Sequence, residues 1–212
     1  MPPTHASYRE LQGHYEEDVD YKISESPVRS NACVLSPHGG GIEPGVSELV
    51  RGIAGGDFSW YLFEGIRKTD NWDLHLTSHY FDEPRAVTFV GRHRVAIAIH
   101  GECEGDCEAT YLGGRNIRAK ELFGNLLRRA GFNVPGKIPS SLLGRQPKNI
   151  CNRCISGKGV QLEITRGQRE RFFCGDFRKR AERKHRTVVF TKYVDTLRAV
   201  LRQLDKDSIL ID

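Results

Sequence analysis

Apolar residues along the chain fall into two periods, and the two alternate. The run "NACVLSP" (31–37) is continuously apolar at its centre, which predicts a buried strand. The segment "PGVSELVRGIAG" (44–55) follows with helical spacing, opened by Pro44 and closed near Gly55. "SWYLFEG" (59–65) predicts a second strand, and the strict alternation of "DLHLTSH" (73–79) predicts a third. "RVAIAIHG" (94–101) is apolar throughout until its histidine, the pattern of a central strand covered on both faces. "TYLGG" (110–114) is a further short strand. Next comes "IRAKELFGNLLRRAGF", whose Leu122, Phe123, Leu126, Leu127 and Ala130 line one helix face. "KNICNRC" (148–154) and "GVQLEIT" (159–165) predict late strands. "TKYVDTLRAVLRQL" (191–204) predicts a closing helix with Val194, Leu197, Val200, Leu201 and Leu204 inward. Strands alternating with helices in this way imply an α/β sheet with helices on both faces.

No repeat, linker or low-complexity tract interrupts the pattern, so residues 1–212 are expected to form a single domain. With 38% hydrophobic and 28% charged residues the composition is that of a globular chain. Nothing approaches the roughly 18 apolar residues that cross a bilayer, and acids stand near the start where a signal peptide needs an apolar core. The expectation is a cytoplasmic protein without membrane association, with release by cell lysis compatible with it. Six cysteines without a secretory signal argue for thiols rather than a disulfide framework. A net charge of +5 favours polyanions as partners. The arginines of "RGQRERFFCGDFRKRAERKHR" (166–186) read as a solvated helix face before they read as a binding patch.

Chemistry gathers where predicted strands run out. In open α/β sheets ligands bind at the carboxyl ends of strands. "NACVLSPH" reaches His38 there, "VAIAIH" reaches His100 and "VQLE" reaches Glu163. Glu43 lies beyond three consecutive glycines, whose backbone freedom lets the chain fold back towards His38. Two imidazoles and one carboxylate are the protein ligands of a catalytic zinc, which leaves a fourth position for water and lowers its pKa towards about 7. Glu163 is then the free carboxylate that moves the proton. His75 and His79 compete, His79 either as a replacement for His100 or as a substrate contact. His5, His14, His93 and His185 lie in polar surroundings and are not expected to take part. "HGGG" also occurs in the oxyanion hole of lipases and esterases, but their G-x-S-x-G nucleophile motif is absent. A four-sulfur zinc from Cys103, Cys107, Cys151 and Cys154 has acceptable spacing but needs strand-bound sulfurs to converge. Cys33 and Cys174 are expected to be core or partly buried thiols.

Taken in order, "SPHGGGIEPG", "LTSHYFDEP", "VAIAIHG", "YLGGRN", "NICNR" and "GVQLEI" resemble the phage-type poly-γ-glutamate hydrolase family, small zinc peptidases related to zinc carboxypeptidases. The resemblance runs from about residue 20 to residue 204. It implies a three-layer α/β/α sandwich with a mixed, largely parallel central sheet. It also implies one zinc ion and hydrolysis of γ-glutamyl amide bonds in an anionic polymer, poly-γ-glutamate. By the family pattern His38, Glu43 and His100 match the zinc ligands and Glu163 the catalytic glutamate. The wider carboxypeptidases place two residues between the first histidine and the glutamate, where this chain has four.

Those enzymes hold substrate carboxylates with arginine, whose planar fork suits bidentate recognition. Arg115 in "GGRN" is the first choice here, followed by Asn149 and Arg153 in "KNICNRC", with His79 a further substrate contact. The protein is expected to act as a monomer. Two other readings differ in substrate or class. One is a zinc amidohydrolase acting on a small N-acyl-glutamate-like molecule. The other is a non-catalytic basic nucleic-acid-binding protein, for which "RFFCGDFRKR" is the one stretch that interleaves aromatic and basic residues.

Overall fold

The apolar run ending in His100 lies in the middle of a six-stranded sheet, as its two-sided hydrophobicity requires. A computed structural model describes residues 5–102 and 106–209 of the chain, the last three by backbone alone. The strands are β1 (Tyr21–Ser26), β2 (Ala32–Gly40), β3 (Ser59–Gly65), β4 (Val95–Glu102), β5 (Thr110–Gly114) and β6 (Val160–Thr165). They lie in the order β1-β3-β2-β4-β6-β5. The inner four run parallel, and the edge strands β1 and β5 run antiparallel to β3 and β6.

Alternation along each strand sorts its side chains to two cores. Ala32 and Val34 of β2, Ile97 and Ile99 of β4 and Val160, Leu162 and Ile164 of β6 share a cluster with α2 (Val46–Ala54), α4 (Ile117–Arg129) and α6 (Val188–Ile209). Cys33 and Leu35, with Ala96 and Ala98, face a second cluster formed with α1 (Tyr8–Gln12) and α3 (Pro84–Val90). The result is a three-layer α/β/α sandwich with a mixed, largely parallel sheet. All five residues expected on the inner face of the last helix are buried. Of those on α4, Phe123 and Leu127 are buried while Leu122, Leu126 and Ala130 are partly exposed.

Two predicted strands are corrected. Residues 73–79 begin in a 3-10 turn, Asn71–Leu74, and pass without a strand neighbour into a second turn that starts at Ser78. Leu74 and Leu76 are buried, so the alternation reports one covered side rather than a sheet position. Residues 148–154 form a 3-10 turn at Ile150–Arg153, because the Asn149 side chain accepts from the Cys151 N–H at 3.2 Å and bends the chain.

From β2 the chain crosses through α2 to β3 on one side, while β4 takes the other side of β2. The order reverses between β2 and β4, and a crevice opens there at their carboxyl ends.

Candidate metal centre

His38 and His100 end the two strands that flank this crevice, and they reach it by different means. His100 follows the ordinary alternation of β4, on the side of Ala96 and Ala98. His38 has the wrong parity, since Cys33 and Leu35 are the β2 residues that face that side. The register against β3 slips between Ser36 and Gly39, where Pro37 has no N–H to give a ladder, and this bulge brings His38 round to His100. The ring Nδ1 atoms then stand 3.1 Å apart.

The glycines turn the chain back. Gly40 has φ of +69°, and a Cβ there would run into the Gly65 carbonyl oxygen, so only glycine fits. The Glu43 N–H donates to the His38 carbonyl at 3.0 Å and closes the loop. Glu43 Oε1 lies 2.9 Å from His38 Nδ1, and Oε2 accepts the Gly101 N–H at 2.7 Å and lies 3.8 Å from His100 Nδ1. His75 comes from the extended segment after the 3-10 turn, with Nε2 at 3.9 Å from Glu43 Oε1. Donor atoms of His38, Glu43 and His75 all lie within 4.8 Å of one another.

The cluster gathers three imidazoles and one carboxylate whose ring nitrogens and oxygens face one another. His38 Nε2 donates to the Leu76 carbonyl at 2.8 Å, which in the neutral ring leaves Nδ1 bare. That nitrogen faces the His100 Nδ1 and the Glu43 carboxylate, a donor set of the kind that binds a cation. Burial pushes His100 down to about 4 and His75 down to about 3, so both rings are neutral at pH 7. Burial alone would raise the Glu43 carboxyl, but the His38, His100 and His75 imidazoles override it and hold it at about 2. A tetrahedral zinc bound at about 2.0–2.1 Å sets its donors about 3.3–3.4 Å apart. The His38–Glu43, His38–His100, His100–Glu43 and His75–Glu43 separations, from 2.9 to 3.9 Å, bracket that value, and imidazole with carboxylate is zinc's usual chemistry.

Glu163 sits beside the cluster because β6 pairs in register with β4, opposite His100. Burial, followed by the nearby Glu43 and Glu102 carboxylates, raises its carboxyl well above the usual range. Gln161 donates to Glu163 Oε1 at 2.7 Å, and Asn149 donates to Gln161 at 2.8 Å. Asn149 is thus at the cleft wall, engaged with Gln161. His79 also lines the cleft, its ring against Tyr80 with centroids 4.1 Å apart. Arg115 and Arg153 lie outside the cleft, bonded to the carbonyls of Gly157 and Lys148 respectively. The arginine among the cleft-lining residues is Arg145, on an exposed loop that sequence reasoning passed over for want of any pattern. The cleft holds about 760 Å³.

Sequence reasoning also passed over Gln161 as a partner of Glu163, though strand alternation places both on one face. Of the cysteines proposed for a second zinc, Cys103 lies outside the described residues, Cys107 is exposed, and Cys151 and Cys154 are buried in the core. The arginine-rich segment is not one solvated face. Arg169 and Arg183 are 3% exposed; Arg169 bonds internal carbonyls, and Arg183 bonds the Phe177 carbonyl and the Glu48 carboxylate. No helix among the described residues is long and apolar enough to cross a membrane.

An α/β/α sandwich with an imidazole–carboxylate cluster at its switch point and a buried carboxyl beside it is the scaffold of a hydrolase. The chain belongs to the poly-gamma-glutamate hydrolase family, whose pattern matches residues 5–196. It is similar to the protein YmaC of Bacillus subtilis (strain 168), 37% identical over 205 residues, which is 96% of this chain and 86% of YmaC. Among solved structures it is similar to a bacteriophage poly-gamma-glutamate hydrolase, with a TM-score of 0.91 and 33% identity over 95% of this chain and 98% of that one. The zinc-free apo form of YndL gives a TM-score of 0.89 with 30% identity over the same shares.

Proposed function

We propose that the protein hydrolyses γ-glutamyl amide bonds of poly-γ-glutamate with one zinc ion held by His38, Glu43 and His100, and with His75 at the edge of the same cluster. The observation that carries the metal is the convergence of the His38 and His100 Nδ1 atoms on the buried Glu43 carboxylate. That a relative, YndL, has a form named zinc-free supports the choice of ion. Bound there, zinc supplies Lewis acidity that polarises an amide carbonyl and acidifies water.

The chain's own residues do the rest. Glu163 takes a proton from the attacking water and passes it to the leaving nitrogen, a role suited by a carboxyl whose affinity for protons burial has raised. Gln161, held in turn by Asn149, fixes the orientation of Glu163. Each γ-linked glutamate keeps a free α-carboxylate, and Arg145 at the cleft wall offers that group a guanidinium. His79 and Trp72 also line the cleft.

The test follows the polymer's size by gel filtration. Zinc-loaded protein is expected to shorten poly-γ-glutamate, and chelator or Glu163→Gln is expected to stop it. Polymer left intact by the zinc-loaded protein, with an N-acyl-glutamate cleaved instead, would replace this substrate with the small one.

A further inference from the structure

The arginine-rich segment that follows β6 contains one side chain whose contacts bear on the whole cluster. Arg169, in the short helix α5 (Arg166–Glu170), turns its guanidinium into the protein and not towards solvent. Its Nε donates to the carbonyl of Ile164 at 3.1 Å, Nη1 to that of Pro44 at 2.8 Å, and Nη2 to that of Glu102 at 2.9 Å. These carbonyls belong to the residue after Glu163, the residue after Glu43 and the second residue after His100. One rigid fork therefore ties together the three chain segments that carry the site. The ring of Phe177 lies over the guanidinium at 5.5 Å and closes it from the other side.

The glycine after His100 is part of the same device. A Cβ at Gly101 would sit 2.6 Å from the guanidinium carbon, so the fork can lie against β4 only because residue 101 has no side chain. Gly101 also donates its N–H to Glu43 Oε2 at 2.7 Å, so strand, fork and carboxylate fit as one unit.

We infer that Arg169 is a positioning residue that fixes the relative placement of Glu43, His100 and Glu163 by bridging the backbone just beyond each, and so sets metal affinity without touching the metal. The inference rests on the zinc reading of the site. It needs arginine in particular: lysine's single ammonium cannot reach three carbonyls in a planar fan.

The experiment measures zinc affinity of metal-stripped protein by competition with a chromophoric chelator, so the readout does not depend on polymer cleavage. Arg169→Lys keeps the buried cation and is expected to fold, yet to bind zinc about 10–100-fold more weakly, the range for loss of a group that orients metal ligands. Gly101→Ala is a second route, because it keeps every hydrogen-bonding group while the three atoms nearest its added Cβ all belong to the Arg169 guanidinium. It is expected to weaken zinc in the same direction. Arg171→Ala, at an exposed position on the same segment, is the control expected to leave affinity unchanged.

Zinc affinity within twofold of wild type in both Arg169→Lys and Gly101→Ala overturns the inference. So does a failure of Arg169→Lys to fold, which would make Arg169 a scaffold residue. Wild-type protein that binds no zinc would overturn the reading of the site itself, an outcome distinct from either.

Discussion

A carboxyl buried beside other carboxylates, as Glu163 is beside Glu43 and Glu102, disfavours the folded state once it ionises. Its folded pKa is raised, so its favourable contribution is complete below the ordinary glutamate value and is lost as pH climbs through the folded one. Glu163→Gln removes that loss. The metal-free variant is expected to melt higher than wild type at pH 8 and level with it at pH 4, each kcal/mol relieved adding about 2–4 °C. The same substitution is expected to lower kcat by about 10²–10⁴-fold, as removal of a proton-transfer group does. Thermal scans at the two pH values with one turnover assay check both, and a variant less stable at pH 8 would contradict the origin of the shift. His75→Ala is expected to weaken zinc binding about 10–100-fold through loss of a group at the cluster's edge, whereas unchanged affinity in a chelator titration would remove His75 from it. The placement of His38, His100 and Glu163 together is legible because each stands near the end of a strand that reads clearly, and that of Glu43 because three glycines let the chain fold back. His75 was visible as a competitor but not placeable: its segment looks like a strand and is not one. Arg145 sits in a loop with no pattern at all, so only coordinates bring it to the cleft.

Elements position these residues through two irregularities that regular patterning hides. The bulge in β2 reverses the facing of His38, and alternation alone would have pointed that ring away from His100. The turn at Gly40 needs a positive φ in a place with no room for a side chain. Gly40→Ala is therefore expected to destabilise by about 1–3 kcal/mol, a drop of about 2–12 °C in melting temperature for a chain of this size. A variant that melts with the wild type would show that the turn carries no constraint. Arg183 braces the same region: its Nε bonds Glu48 Oε1 on α2 at 2.8 Å and its Nη1 reaches the Phe177 carbonyl at 3.0 Å. Arg183→Met is expected to cost about 2–4 kcal/mol by leaving the Glu48 carboxylate without its partner. Denaturant titration measures it, and a double variant with Glu48→Leu is expected to recover part of the loss. Most of the sheet was legible, because β2, β3, β4 and β6 are apolar runs of strand length. The edge strand β1, "YKISES", reads as polar and was missed. Residues 73–79 were misread because alternation records a covered side and says nothing about a neighbouring strand.

At the scale of the whole molecule, metal and fold are linked. The donors come from β2, the turn after it, the segment before α3 and β4, so they converge only in the folded chain. A ligand that binds only the folded state stabilises it by about 2.7 kcal/mol at 100 times its Kd. Zinc at that level is expected to raise the melting temperature by about 5–10 °C, and chelator to reverse the rise; a melting curve indifferent to zinc would deny the linkage. The basic balance of the chain, +5 overall, gives a polyanionic substrate a favourable approach. On the proposed mechanism one divalent ion in this cluster makes the protein a γ-amide hydrolase. The most direct measurement of that claim is the rate of amine release from poly-γ-glutamate as metal-stripped protein is titrated with zinc. The expected curve rises linearly and breaks at one ion per chain, and it vanishes in the His38→Ala variant. Full activity in the stripped protein, or none at any zinc level, would contradict the account.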